Sequence, residues 1–175
     1  MRGGCKTIGS RGLAFGRTSI LGIVAYLLVI LGVGVVTLHG DARARERTVD
    51  ESKHKHLIER FIAAYNSFDI EGMVSLLAAD IRFENYSGDM LTATATGIDE
   101  FRQLAEQSKA LFSEREQRIT SFEFREGAVL VMIRFHGRLA ADMPHGPAAG
   151  TVLKVQGTSE YFFRDGRIIK LVDRS

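Results

Sequence analysis

Hydrophobic and polar positions fall into three regimes along this chain. From Ile20 to Leu38, "ILGIVAYLLVILGVGVVTL", no residue carries a charge. About 20 apolar residues rising 1.5 Å each span roughly 30 Å, the hydrocarbon thickness of a bilayer, so the run predicts a membrane helix over 19–38. A buried soluble helix of that length normally has a polar face. The second regime has a helical period. Leu57, Ile58, Phe61, Ile62, Tyr65 and Phe68 recur at i, i+3, i+4 and predict an amphipathic helix over Ser52–Phe68. Asp69 is the predicted N-cap of a second helix, which carries Ile70, Met73, Val74 and Leu77 inward and ends near Ala79. A short strand is predicted at Ile81–Asn85, then a third helix marked by Ile98, Phe101, Leu104, Ala105 and Phe112. In the third regime the period is two. "ITSFEFRE", "AVLVMIRFHGRL", "TVLKVQGTSEYFF" and "RIIKLVD" predict four strands, with Asp165-Gly166 as a hairpin signal before the last. Helices first and a long antiparallel meander second indicate an α+β domain whose helices cover one face of a sheet.

The chain thus divides into a basic tail (1–18), a transmembrane helix (19–38), a charged linker (39–51) and a domain (52–175). Roughly 120 residues are enough to bury well over half the unfolded surface around one core. A cleaved signal peptide is the alternative to an anchor, because "ARA" at Ala42–Ala44 resembles a cleavage site. The apolar run, however, exceeds the usual 7–15 residues of a signal, and a tail of about 18 residues precedes it, which favours the anchor. Arg2, Lys6, Arg11 and Arg17 precede the helix; Arg43, Arg45, Arg47, Lys53 and Lys55 follow it, mixed with acids, so counting basic residues does not orient it. A short cationic tail resists translocation while a long domain can cross, which places the domain outside the cytoplasm, in the periplasm if the source is bacterial. The net charge of +2 is concentrated at the membrane flanks, where anionic head groups account for it without nucleic acid. Cys5 is the one cysteine, leaving 39–175 with no disulfide and no thiol nucleophile.

Strand alternation sorts the polar residues by face. Ile81, Phe83 and Asn85 share one face, and Val129, Val131, Ile133 and Phe135 another apolar one, leaving Leu130, Met132, Arg134, His136 and Arg138 outward. Leu153, Val155, Gly157, Ser159 and Tyr161 point inward; Asp173 shares parity with Ile169 and Leu171. His54 and His56 stand at i, i+2 and do not share a helix face, and no carboxylate or cysteine completes a zinc-like spacing, so no metal and no cofactor is expected.

The segments "FIAAYNSFDIEGMVSLLAADIRFEN" and "SEYFFRDGRIIKLVD", in that element order, resemble the SnoaL-like group of the nuclear transport factor 2-like superfamily, which includes ketosteroid isomerases. Asn66, Asp69, Leu76-Leu77-Ala78, Asp80, Glu84 and Phe163-Arg164-Asp165-Gly166-Arg167-Ile168 carry the resemblance, which extends over Leu57 to Asp173. It implies a cystatin-like cone: a curved antiparallel sheet wrapped round helices, with a pocket open at one end. The pocket residues so implied are Phe61, Tyr65, Phe83, Asn85, Ser159, Tyr161 and Asp173. Ketosteroid isomerase chemistry needs a base and two oxyanion donors. The resemblance puts Phe61, Asn85 and Ser159 at those three places, which speaks against that reaction.

Tyr65, Asp173 and His136 are the remaining acid/base candidates. Tyr65 reads first as a core tyrosine with its hydroxyl satisfied, Ser159 as a packing residue and Asp173 as a charge on a frayed terminus. The leading expectation is a membrane-anchored domain that binds a small apolar ligand or a protein partner. The alternatives are an enzyme (cyclase, hydrolase or isomerase) on a lipophilic substrate, and an assembly subunit of an envelope complex. The outward Leu130 and Met132, with the dimers common in the family, predict a homodimer through the sheet face.

Overall fold

The computed structural model describes residues 20–143 and 146–175, with side chains from Ala42 onward. Two units are distinguished, one ending at Arg45 and one comprising Glu46–Ser175. The uncharged run Ile20–Leu38 lies outside the residues whose side chains are described. Among those that are, no helix is long and apolar enough to cross a membrane.

Helix α1, Ile20–Asn66, takes in the charged stretch as well as the amphipathic segment. The stretch is rich in Ala, Arg and Glu, which are good helix formers, and carries the local pairs Asp50–Lys53 and Lys55–Glu59. The helix stops two residues before its predicted end because Phe68 adopts φ 59°, a left-handed turn that lets the Asp69 amide reach back to the Ala64 carbonyl at 2.9 Å. Asn66, just before the turn, uses its side-chain amide like a piece of strand. Its Nδ2 donates to the Gln117 carbonyl (2.9 Å) and its Oδ1 accepts from the Gln117 amide (2.7 Å).

Asp69 caps α2 as expected, Oδ1 accepting from the Gly72 amide at 2.8 Å, but α2 is only Ile70–Val74. The predicted extension to Ala79 is overturned by tertiary hydrogen bonds. The Ile168 amide donates to Leu76, and Arg167 Nη1 donates to the carbonyls of Ser75 and Leu77. These draw Leu76–Ala78 towards the sheet, and β1 runs Leu77–Ser87. A strand that sequence periodicity did not reveal, β2 (Met90–Thr96), pairs back on β1 through a tight turn whose Gly88 has φ 58°. Helix α3 is Gly97–Leu111, followed by β3 (Phe112–Arg125), β4 (Ala128–Leu139), β5 (Val152–Arg164) and β6 (Arg167–Arg174).

The described strands form one sheet in the order β2-β1-β6-β5-β4-β3, antiparallel except where β1 lies parallel to β6. Bulges at Asn85/Tyr86, Ile119/Ser121 and Phe162/Phe163 bend it, as bulges do, into a cone-like curve. Ile58, Phe61 and Ile62 of α1, Met73 of α2 and Phe101 of α3 pack with Val129, Val131, Tyr161, Ile168 and Leu171 of the sheet. Each such side chain contributes roughly 1.5–3 kcal/mol by leaving water. Cross-strand register fixes which residues share the inner face. One row reads Ala95, Phe83, Leu171, Tyr161, Val129; the next reads Ala93, Asn85, Asp173, Ser159, Val131.

The opposite face of the sheet is laced with ion pairs, among them Lys170–Glu84 and Arg138–Glu114. Met132 is exposed there and Leu130 half-buried. His136 lies in register with Glu116 and Lys154 on this side.

Candidate functional site

A cavity of about 650 Å³ opens between the inner face of the sheet and helices α1 and α3. Aromatic rings form much of its wall. Phe61 meets Tyr161 edge-on at 6.0 Å between centroids, and Phe83 meets Phe101 edge-on at 5.8 Å. Phe61, Tyr65, Phe83, Asn85, Ser159, Tyr161 and Asp173 all line this space; His136 does not, because it belongs to the other face of β4. A mostly apolar cleft with few convergent polar groups is the usual form of a small-molecule site.

The polar groups come in two clusters. The first is built by register. Asn85 on β1, Asp173 on β6 and Ser159 on β5 are direct neighbours across three strands. Asp173 is no frayed charge. Its strand pairs on both sides, and the chain beyond it is tied down by the Ser175 amide donating to Tyr86 and the Gly88 amide donating to Ser175. Gly157 makes room for this ending, since a Cβ there would collide with the Arg174 carbonyl. Ser159, 3% exposed, is more than packing: its hydroxyl donates to Asp173 Oδ1 at 2.6 Å. A serine has one hydrogen to give, and here it is committed to the Asp173 carboxylate. Asn85 Nδ2 donates to Thr92 Oγ1 at 2.6 Å, and Thr92 returns its hydrogen to the Asn85 carbonyl at 3.0 Å.

Electrostatics follow from burial. Removal from water pushes the Asp173 carboxyl up to about 6, against the pull of the Ser159 hydrogen bond. Burial also raises the Tyr161 phenol well above its usual value, with the Asp173 charge adding to the effect. The Tyr65 phenol is raised by burial too, opposed by the Arg115 charge and pushed further by Asp173. Both phenols are therefore held neutral as hydrogen-bond donors, while Asp173 is ionised at pH 7.5 and more basic than an ordinary carboxylate. That pairing can take a proton from carbon and offer a donor to the oxygen that gathers the charge.

The second cluster was not anticipated. Arg115 of β3 and Ser108 of α3 line the cavity beside Tyr65, and Arg115 Nη1 donates to Ser108 Oγ at 3.1 Å. The two-residue period predicts β3 only from Ile119, but the strand begins at Phe112, and Arg115 shares inward parity with Gln117 and Ile119. Among the described residues, no three histidine, cysteine or acidic side chains gather as a metal site.

Comparison with known proteins gives concordant results. The profile of the SnoaL-like domain family matches residues 58–171. No curated protein matches the sequence. Among solved structures, a candidate polyketide cyclase from Xanthomonas campestris pv. campestris aligns with TM-score 0.61 at 18% identity, over 71% of this chain and 90% of that one. A SnoaL-like polyketide cyclase candidate from Jannaschia sp. CCS1 gives TM-score 0.61 at 14% identity, over 70% and 84%. AclR, a candidate hydroxylase from Streptomyces galilaeus, gives 0.57 at 20% identity, over 70% and 87%. Identities this low speak to the fold alone.

Proposed function

Because this chain belongs to the SnoaL-like domain family, we propose that its cavity is the active site of an enzyme that moves a proton on a lipophilic carbonyl compound, of the cyclase or isomerase type. The observation that carries this reading is Asp173, a carboxylate with its pKa at about 6 set into an aromatic-walled cavity and hydrogen-bonded on one side only, by Ser159. Asp173 removes a proton from the carbon next to the carbonyl. Its second oxygen is the one free to do so. Charge then gathers on the carbonyl oxygen, and the neutral Tyr65 phenol and the Asn85 N–H not engaged by Thr92 are donors that line the same cavity. The same carboxyl, now protonated, returns the proton to carbon at the end of the reaction. The candidate cyclases of the same fold are consistent with this class of chemistry. Pure ligand binding ranks second here, since a binding cavity has no need of a buried carboxylate with a raised pKa. The uncharged run Ile20–Leu38 is proposed to hold the domain at a membrane, on the side away from the cytoplasm, where lipophilic substrates concentrate.

The test is deuterium incorporation next to the carbonyl of 2-tetralone, followed by NMR in D₂O with full-length protein. The chain is expected to accelerate exchange over buffer, and Asp173→Asn to reduce the acceleration by about 10²–10⁴, the usual contribution of a positioned base. A wild-type rate equal to buffer, or full activity in Asp173→Asn, leaves binding as the function of the cavity.

A further inference from the structure

The end of the cavity formed by α1, α3 and β3 holds a cation with an unused hydrogen-bond edge. Arg115 is 5% exposed, and its guanidinium carbon stands 3.8 Å from the Tyr65 ring centroid and 4.4 Å from that of Phe68. Nε donates to the Tyr65 carbonyl at 3.0 Å and Nη1 to Ser108 Oγ at 3.1 Å. Nη2 is buried with no partner. Among the described residues, its hydrogen-bond acceptors are a carbonyl and a hydroxyl, and no carboxylate pairs with it. The backing ring belongs to Phe68, whose φ of 59° is a strained conformation for a bulky side chain, and strain of this kind gathers at functional sites.

A buried cation needs a counter-charge, and buried polar atoms are ordinarily satisfied. Here the fold supplies stacking rings and two neutral acceptors but leaves Nη2 buried without a partner. Planar, bidentate recognition of an oxyanion is what that fork does best. We propose that Arg115 is an anion-binding pole of the cavity, and that the ligand is a lipophilic acid whose ionised carboxylate or enol lies against the guanidinium while its apolar body fills the aromatic wall. Tyr65, whose ring carries Arg115 at 3.8 Å, lines the same cavity as Asp173. The substrate class is then a carbonyl compound that is apolar along its length and carries one acidic group. This deepens the proton-transfer reading and rests on it for the role of Asp173, but not for the anion site itself.

Calorimetric titration of full-length protein at pH 7.5 with 2-naphthoate and with 2-naphthalenemethanol tests it, since the two share a ring system and differ in charge. Wild type is expected to bind the carboxylate at least about ten-fold more tightly than the alcohol, the scale of one charge-assisted hydrogen-bonded pair. Arg115→Met is expected to abolish the preference for the carboxylate over the alcohol. Should that variant fail to fold, Ser108→Asp sets a carboxylate against Nη1 and neutralises the cation in place, and is expected to have the same effect. A wild type indifferent to charge, or a preference that survives either variant, overturns the proposal. Asp173→Asn separates it from the catalytic reading: exchange of 2-tetralone is lost and the preference for naphthoate is kept. If exchange depends on Asp173 while no preference exists, only the substrate class is wrong.

Discussion

The Ser159 hydroxyl donates to Asp173 Oδ1 at 2.6 Å, and the two residues face one another in register on β5 and β6. A hydrogen bond to a carboxylate favours its charged form, yet Asp173 titrates at about 6, above the ordinary 3.8. Desolvation therefore outweighs the hydrogen bond.

That balance makes Asp173 a stability determinant with a definite sign. The folded chain holds this proton more tightly than the unfolded one, so the group's contribution is most favourable at low pH and is lost as pH rises from about 4 through about 6. The difference amounts to roughly 3 kcal/mol. Asp173→Asn is thus expected to be more stable than wild type above pH 6 by up to that amount, and level with it below pH 4. Denaturant unfolding across this range measures the difference. A variant less stable than wild type at pH 7.5 means that the ionised carboxylate has a stabilising partner.

Ser159→Ala removes the one hydrogen bond opposing desolvation. Hydrogen bonds to charged groups are worth about 1.5–3 kcal/mol, so the apparent pKa of Asp173 is expected to climb by about 1–2 units. In the 2-tetralone assay the rising limb of the pH–rate profile moves up accordingly. Activity is depressed near pH 6–7 and recovers at higher pH. An unmoved limb shows that Ser159 does not tune the base.

Much of this architecture was legible in the sequence because period and parity are local. The two-residue period over 128–139 gave β4 its bounds, and parity alone put Asn85, Ser159 and Tyr161 on the face that lines the cavity. Where distant contacts decide, the reading went astray. Leu76-Leu77-Ala78 has helical propensity, but Arg167 and Ile168, some ninety residues away, claim the carbonyls there. Nothing local distinguishes "SERE" as strand; the identity of Arg115 as cavity wall depends on pairing with Gly137 of β4. Asp173 looked like a terminal charge because the tie between Ser175 and Tyr86–Gly88 joins ends of the domain that sequence proximity does not connect.

The proposed anchor has its own trial. Full-length protein expressed in membranes is expected to stay in the pellet after alkaline carbonate extraction, because about 20 uncharged residues satisfy the length a bilayer demands. Its mass should include the residues upstream of Ala42. Release into the supernatant, or a mature chain beginning after Ala44, removes the anchor and leaves a cleaved signal in its place.

Asn85→Asp probes the division of labour between neighbouring strands. The resemblance to steroid isomerases implies a base at the position of Asn85, while the carboxylate side chain lining this cavity is on the adjacent strand, as the register partner of Asn85. A second acid at 85 places like charges side by side, and one of the pair then ionises only at higher pH. Proton exchange of 2-tetralone near pH 7 is therefore expected to fall in the variant, not rise. Neither protein is expected to isomerise a β,γ-unsaturated steroid ketone. Phe61, at the place where the resemblance implies a donor tyrosine, offers no hydrogen, and the Ser159 hydrogen is committed to Asp173. Loss of one oxyanion donor alone costs about 10²–10³ in rate. The rise in conjugated-enone absorbance follows both reactions directly. Turnover by the wild type would show that Asp173 reaches the steroid carbon from β6 with Tyr65 as donor, and turnover by Asn85→Asp alone would show that the base can be moved back to β1.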